Sequence, residues 1–197
     1  MNTAVSTSIP VAAAEERSAR LVRWLLASLL TLGAAAWLGF FAQAFWAENE
    51  FTQPESLIAH QATNLREAGV LYYPLDQYPY MVSNYMPLTY ALGAAGQALG
   101  VEPIHAGRLV SMLALCWLGW LVWRLVGLYT TAGDGRPAAL AAALCTCSAT
   151  LATWGSVGQA DLLAVASTVA AFYEFSKVWR GTGDGSLWRA GWFTLAG

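Results

Sequence analysis

The chain has little charge, and that scarcity decides its class. Only 11% of its 197 residues are charged, while 57% are hydrophobic and the mean hydropathy is positive. So few charges could not cover a soluble core of this size, and the composition therefore predicts a membrane protein. The net charge of −2 and the lack of a basic stripe argue against nucleic acid as a partner.

Cysteine is also scarce, and its placement does not fit a zinc site. Cys116, Cys145 and Cys147 all lie in apolar runs, and their spacing does not match that of zinc ligands. We expect three buried thiols, because free cysteine is among the most buried residue types. No dedicated metal cluster or cofactor motif is present, although a divalent metal requirement stays open.

Long uncharged runs predict an all-α fold, a polytopic transmembrane helical bundle. Residues 1–19 are predicted to be a disordered cytoplasmic tail. The predicted transmembrane helices are 20–46, 108–129, 137–156 and 159–179, followed by the start of a fifth span at 187–197. Because that last run is shorter than the roughly 20 residues needed to cross, we expect a fragment of a longer protein.

The first predicted span has one alternative interpretation. Ala42-Gln43-Ala44 resembles the cleavage site of a signal peptide. The apolar run before it is longer than the roughly 7–15 residues of a signal sequence, which favours a retained span.

Basic residues are distributed unevenly between the two ends of these spans. Alternating crossings place eight of the ten Lys and Arg residues on the side of the amino terminus, leaving Arg66 and Arg108 opposite. The positive-inside rule therefore predicts a multi-pass plasma-membrane protein with a cytoplasmic amino terminus. The loop 47–107 then lies outside, together with Asp161.

The external loop 47–107 is predicted to carry amphipathic helices. The first starts at Pro54 with Thr52 as its cap and stops at Gly69. Glu55 falls on the apolar stripe of this helix, which Ile58, Ala62 and Leu65 form. A carboxylate on an apolar face is costly to desolvate, so it should have a partner or a function.

The rest of the loop is rich in tyrosine and leads to a second short helix. The tyrosines act either as interfacial anchors or as the wall of a carbohydrate or lipid-phosphate cleft. After Pro87, the apolar run Leu88 to Leu99 predicts a helix too short to span.

Two charged residues at the ends of spans are further candidates. Arg108 could pair with Glu102, anchor the interface or hold a phosphate, for which a guanidinium is well shaped. Asp161 is either a functional carboxylate or a helix-capping one.

Four segments in order, after the acidic external helix, resemble a known family. They are Gly69-Val70-Leu71-Tyr72, Ser83-Asn84-Tyr85-Met86-Pro87-Leu88, Gly107-Arg108-Leu109-Val110-Ser111 and Gln159-Ala160-Asp161-Leu162-Leu163-Ala164. Their order and topology resemble the GT-C superfamily of integral membrane glycosyltransferases, in its dolichyl-phosphate-mannose-protein mannosyltransferase-like and RgtA/B/C/D-like branch. The resemblance covers roughly residues 45–179.

The resemblance implies transfer of a sugar from a polyprenyl-phosphate donor to a glycan, lipid or protein acceptor on the external face. It implies that Glu55 acts as general base, with Arg108 contacting the phosphate. Asn84 and Tyr85 would line the cleft, and Asp161 would contact the acceptor or hold the structure. Where the family often has an Asp-Glu pair, Pro54 precedes Glu55 here, which leaves Glu48 and Glu50 as substitutes for the base.

Two other classes stay open. A polytopic transporter would also carry an intramembrane acid, but it usually shows broken helices or inverted repeats. A non-catalytic membrane-protein remnant is the second alternative.

Overall fold

The computed structural model describes residues 9–73, 76, 85–130, 135–182 and 186–196. Within these ranges the chain is all helical and contains no strand, as the composition predicts. The described helices are α1 (Ile9–Trp46), α2 (Gln53–Ala68), α3 (Pro87–Ala98), α4 (Pro103–Gly127), α5 (Arg136–Thr146), α6 (Ala149–Ser156), α7 (Asp161–Trp179) and α8 (Leu187–Ala196).

Two of these helices are long and apolar enough to cross a membrane. They are α1, over residues 15–46, and α4. Helices α5 and α6 pass the same test as a pair, but they are bent by 62° at the break between them. Helix α7 carries Asp161, Glu174 and Lys177 and is not one of the candidates. The apolar helices indicate contact with a lipid bilayer.

Helix α1 begins at Ile9, so the prediction of a disordered tail over 1–19 is wrong for residues 9–19. This stretch is rich in Ala, Glu and Arg, which are strong helix formers. Once a helix has formed in the apolar run, each added residue gains one hydrogen bond without a new nucleation cost, so the helix continues into this segment. Farther along α1, large apolar side chains such as Leu25, Leu29 and Leu32 are exposed.

The third predicted span, 137–156, is two helices rather than one. Cys147 ends α5, and Ser148 takes an extended conformation and accepts a hydrogen bond from the Leu151 N–H at 3.4 Å. A serine in this position is a helix N-cap, so it starts a new helix in a new direction. The predicted separation of the spans 137–156 and 159–179 is present, since α6 ends at Ser156 and α7 begins at Asp161.

Helix α2 begins and ends where Pro54 and Gly69 predict. Proline occupies its first turn, and Gly69 ends it in the left-handed conformation at φ 67°, with its N–H donating to the Leu65 carbonyl. The predicted apolar stripe is buried, including Ile58 and Ala62. Helix α2 therefore packs with this face inward.

Helix α4 lies at the centre of the fold and packs against α2, α3, α5, α6 and α7. Its core against α7 consists of six buried residues: Ala114, Leu115, Leu118, Leu162, Leu163 and Ala166. Ser111 contacts Gln159 at one end of the two helices, and Arg124 contacts Tyr173 at the other. Helices α4 and α7 therefore run in the same direction, and each end of the pair holds a polar cluster.

Candidate functional site

The first polar cluster is a buried ion pair at the start of α4. Arg108 is fully buried and Glu55, from the first turn of α2, is 2% exposed. The Arg108 Nε donates to Glu55 Oε1 at 2.7 Å, and Nη2 donates to Oε2 at 3.2 Å. Two residues that the sequence analysis assigned separate roles are therefore partners of each other across 53 positions of sequence.

Arg108 also holds the end of α1. Its Nη1 donates to the carbonyls of Ala44 and Ala47, the latter at 2.7 Å, and its Nη2 donates to the Asn49 carbonyl at 2.9 Å. A guanidinium has five N–H donors, and these contacts together with Glu55 use all five. The guanidinium also lies 5.2 Å from the centre of the Phe51 ring. No donor is left for an outside phosphate.

The Glu55 carboxylate likewise has hydrogen-bond donors at both of its oxygens. Besides Arg108, it accepts hydrogen bonds from the backbone N–H of Phe51 at 2.9 Å and of Gly158 at 2.8 Å. Burial raises the pKa of this carboxyl, but the hydrogen bonds from Arg108, Gly158 and Phe51 and the charge of Arg108 together lower it further. The net pKa lies below the ordinary value of 4.5, so Glu55 is ionised at neutral pH and is a weak base.

The loop between α6 and α7 closes over the ion pair because it carries a glycine. A Cβ atom at Gly158 would lie 3.0 Å from the Glu55 Cγ and 3.5 Å from the Arg108 backbone nitrogen. A side chain at this position would push the carboxylate away, so glycine favours the close approach of the backbone N–H. The sequence gives no signal for this role of Gly158, because the crowding around it is visible only in three dimensions.

Gln159 ties the same loop to two other elements. Its backbone N–H donates to Ser111 Oγ at 3.0 Å, and Ser111 Oγ donates to the Gln159 carbonyl at 2.9 Å. Its side-chain Nε2 donates to Thr52 Oγ1 at 2.9 Å. Thr52 stands at the N-cap position of α2, but its side chain makes no capping hydrogen bond. The predicted capping role of Thr52 is therefore wrong, because its hydroxyl serves Gln159 instead.

Tyr85 and Asp161 lie beside this cluster. Tyr85 is half-buried and packs against the apolar group of Ile58, Tyr90 and Ala160. Burial and then the negative charge of Asp161 raise the pKa of the Tyr85 phenol. Asp161 is half-buried in the first turn of α7. The structure thus brings Tyr85 and Asp161 together.

The remaining candidate residues are placed as follows. Asn84 lies outside the described residues. Glu48 and Glu50 are exposed. Glu102 pairs with His105, so the prediction that Arg108 could pair with Glu102 is wrong.

The cysteines are less buried than predicted, and no metal cluster is found. Cys116 is exposed, and Cys145 and Cys147 are half-buried. Helix α4 turns Cys116 away from the α7 interface, which explains its exposure. Among the residues described by the structure, no group of three or more His, Cys, Asp or Glu side chains could hold a metal ion.

An apolar groove of about 400 Å³ runs between α3 and α4. Its lining includes Leu92, Leu99, Leu113 and Trp117, and Ala106 and Leu109 flank the buried Arg108 along it. Helix α3 lies close to α4 because Gly96 faces Ala106, where a Cβ atom would stand 3.2 Å from the alanine Cβ. The groove therefore lies along the apolar face of α4 that α3 leaves partly uncovered.

Comparison of the chain with protein-family models, with curated proteins and with solved structures finds no match in any of the three. The case for a function consequently depends on the residues themselves.

Proposed function

We propose that this chain works in an integral membrane glycosyltransferase that moves a sugar from a polyprenyl-phosphate donor to an acceptor on the extracytoplasmic face. One observation carries the proposal. The residues that suggested the family from sequence, on α2, α4 and the start of α7, meet at one end of the α4–α7 pair. Ionisable residues in an apolar span are functional candidates by default, because burying their charge is costly.

The apolar groove supports a lipid-linked donor. A polyprenyl phosphate has a long hydrocarbon tail and a charged headgroup, so its site needs an apolar channel that ends near polar residues. The groove between α3 and α4 supplies the apolar part of such a site, since Leu109 and Leu113 of α4 line it. The acceptor would be a glycan, a lipid or a protein.

Asp161 is better placed than Glu55 to be the base in this reaction. Glu55 is buried and hydrogen-bonded at both carboxylate oxygens, whereas a base needs a free lone pair within reach of the proton that it accepts. Asp161 is half-buried beside Tyr85 and has no ion-pair partner among the described residues. We therefore assign the base role to Asp161 and a positioning role to Glu55 and Arg108.

The proposed step is a single displacement at the anomeric carbon. An acceptor hydroxyl attacks this carbon while its proton passes to the Asp161 carboxylate. The bond between the anomeric carbon and the phosphate oxygen breaks, and polyprenyl phosphate leaves with the bonding electrons. A positioned base of this kind contributes about 10²–10⁴-fold to the rate.

The proposal includes a multi-pass plasma-membrane protein with its amino terminus in the cytoplasm. The eight-to-two distribution of basic residues between the two ends supports this orientation. The end that holds Glu55, Arg108 and Asp161 then faces outward, at the level of the lipid headgroups.

The test is a transfer assay on membranes that contain the protein. Labelled polyprenyl-phosphate sugars are added, and the label is followed into water-soluble, lipid and protein fractions. Asp161→Asn should lower the transfer rate at least about 100-fold while leaving the thermal midpoint near that of the parent. Asp76→Asn is the matched control, since it is the same chemical change at an exposed aspartate of the loop 47–107. Transfer by Asp161→Asn at the parental rate would remove the base role.

A transporter is the second candidate, and the bent α5–α6 pair favours it. Broken helices at membrane depth are common in transporters, because their freed backbone groups bind substrate or ions. Uptake of labelled sugar or ions into sealed vesicles without any transfer of label would support this class. If neither transfer nor uptake occurs, a non-catalytic membrane role is the remaining interpretation.

A further inference from the structure

The second polar cluster, at the opposite end of α4 and α7, is basic. Arg124 donates from Nε and Nη2 to the Tyr173 hydroxyl at 3.2 and 3.1 Å. Lys177 lies 5.2 Å from the centre of the Tyr173 ring, and Arg180 lies 4.8 Å from the centre of the Tyr129 ring. Aromatic rings therefore hold several cations at this end.

The nearby carboxylate of Glu174 contacts only some of the cations in this cluster. Glu174 accepts hydrogen bonds from the Ser186 N–H at 3.3 Å and from Arg189 Nε at 3.1 Å, and it lies 3.6 Å from Lys177 Nζ. Arg124 and Arg180 are exposed, and neither has a carboxylate within salt-bridge distance in the described ranges. Both retain guanidinium N–H groups that can donate to an outside anion.

The charge of the whole chain is separated between its two ends. Counted along the sequence, the end with Arg124 has eight basic and five acidic residues, a net charge of +3. The end with Arg108 has two basic and seven acidic residues, a net charge of −5, and the two together give the net −2 of the chain. The field at the Arg124 end therefore attracts anions.

Exposed tryptophans surround the basic end. Trp123 on α4, Trp179 on α7 and Trp188 and Trp192 on α8 are all 44% exposed or more. Tryptophan concentrates at the membrane–water interface, where its ring meets the headgroups. The exposed tryptophans around the basic cluster therefore favour a position at the depth of lipid phosphates.

We infer that this end of the molecule binds the headgroup of an anionic phospholipid, with Arg124 and Arg180 as its phosphate donors. A guanidinium offers paired N–H groups that match two phosphate oxygens. Each basic residue near an anionic surface strengthens binding by about 1 kcal/mol, which is about fivefold in affinity. The inference depends on bilayer contact and is independent of the proposed sugar transfer.

The test measures lipid binding to the purified protein in detergent. Dioleoyl phosphatidylglycerol and dioleoyl phosphatidylcholine are titrated separately, and bound lipid is counted by native mass spectrometry. Parent protein should bind phosphatidylglycerol more tightly, and Arg180→Gln should weaken that binding about fivefold without changing phosphatidylcholine binding. Arg124→Gln should act in the same direction, and Arg180→Lys should restore most of the loss.

Arg66→Gln is the matched control, because it removes one exposed positive charge at the other end of the molecule. It should leave phosphatidylglycerol binding unchanged. Arg124→Gln also removes the contact with Tyr173, so Arg180→Gln, whose described contact is with the Tyr129 ring, is the decisive variant. Equal binding of the two lipids by parent protein, or an equal loss in Arg66→Gln, would overturn the inference.

Discussion

The replacement Glu55→Gln tests the ion pair at the start of α4. It leaves the Arg108 charge buried without a counter-charge, and it turns an amide N–H₂ toward groups that are themselves donors. Breaking a buried ion pair by changing one partner costs about 3–5 kcal/mol. For a chain of this size such a loss corresponds to a fall of roughly 6–20 °C in Tm.

The surrounding backbone makes this pair different from an isolated one. Replacing both members of a buried pair by apolar residues is often neutral or stabilising. Here Glu55→Met with Arg108→Met would orphan the carbonyls of Ala47 and Asn49 and the backbone N–H groups of Phe51 and Gly158. Each buried polar group without a partner costs about 1–3 kcal/mol. We therefore expect the double variant to be no more stable than either single variant.

The measurement is the thermal midpoint of purified protein in one detergent, monitored by the reaction of a thiol dye with the native cysteines. A size-exclusion profile is recorded for each variant. Glu102→Gln is the control, since it is the same chemical change at an exposed glutamate of the same loop. It should cost about 0–1 kcal/mol. Parental stability in the double variant would refute the argument that the backbone groups depend on this pair.

Three further predictions concern pH, packing and topology. The folded-state pKa of Glu55 is lowered, so the stabilisation from this carboxylate is present above about pH 4.5 and is lost as pH falls through the folded value. The acid-induced fall in Tm should therefore be smaller in Glu55→Gln than in the parent protein. Gly155→Ala should lower the free energy of unfolding by about 1–3 kcal/mol, because its Cβ would lie 2.5 Å from the Leu115 Cδ2. Gly127→Ala is the control, since the space around Gly127 is open, and it should leave the thermal midpoint unchanged. Glu50→Cys, in a background without the native cysteines, should react with a membrane-impermeant maleimide added to intact cells, and labelling only after lysis would contradict the proposed orientation.

The ends of the short helices could be predicted from sequence because local chemistry determines them. Proline in the first turn of α2 and α3 and glycine after α2 give boundaries that need no tertiary information. The bend at Ser148 was missed because serine within an apolar run also fits a continuous helix, where its hydroxyl would bond to the preceding turn. The packing against α1, where the Trp37 indole donates to the Ala152 carbonyl at 3.2 Å, favours the bent path.

The sequence identified Glu55 and Arg108 as candidate site residues, but it did not indicate that the two contact each other. Glu55 on an apolar stripe correctly indicated that the carboxylate needed a partner, and Arg108 was recognised as a cation in an unfavourable place. Neither observation specifies the other residue, because the pairing depends on how α2 packs against α4. The participation of Gly158 depends on the same packing, and sequence periodicity carries no information about it.

The connections of Arg108 also have a consequence for biogenesis. The acceptors of Arg108 lie at the end of α1 and on α2 and precede it in the chain, but Glu55 also accepts from the Gly158 N–H, so the cluster cannot be complete until the chain through Gly158 has been synthesised. Until then, the ion pair of Glu55 and Arg108 lacks the loop that closes over it. An insertion intermediate arrested before that point should therefore be the species that quality-control proteases recognise.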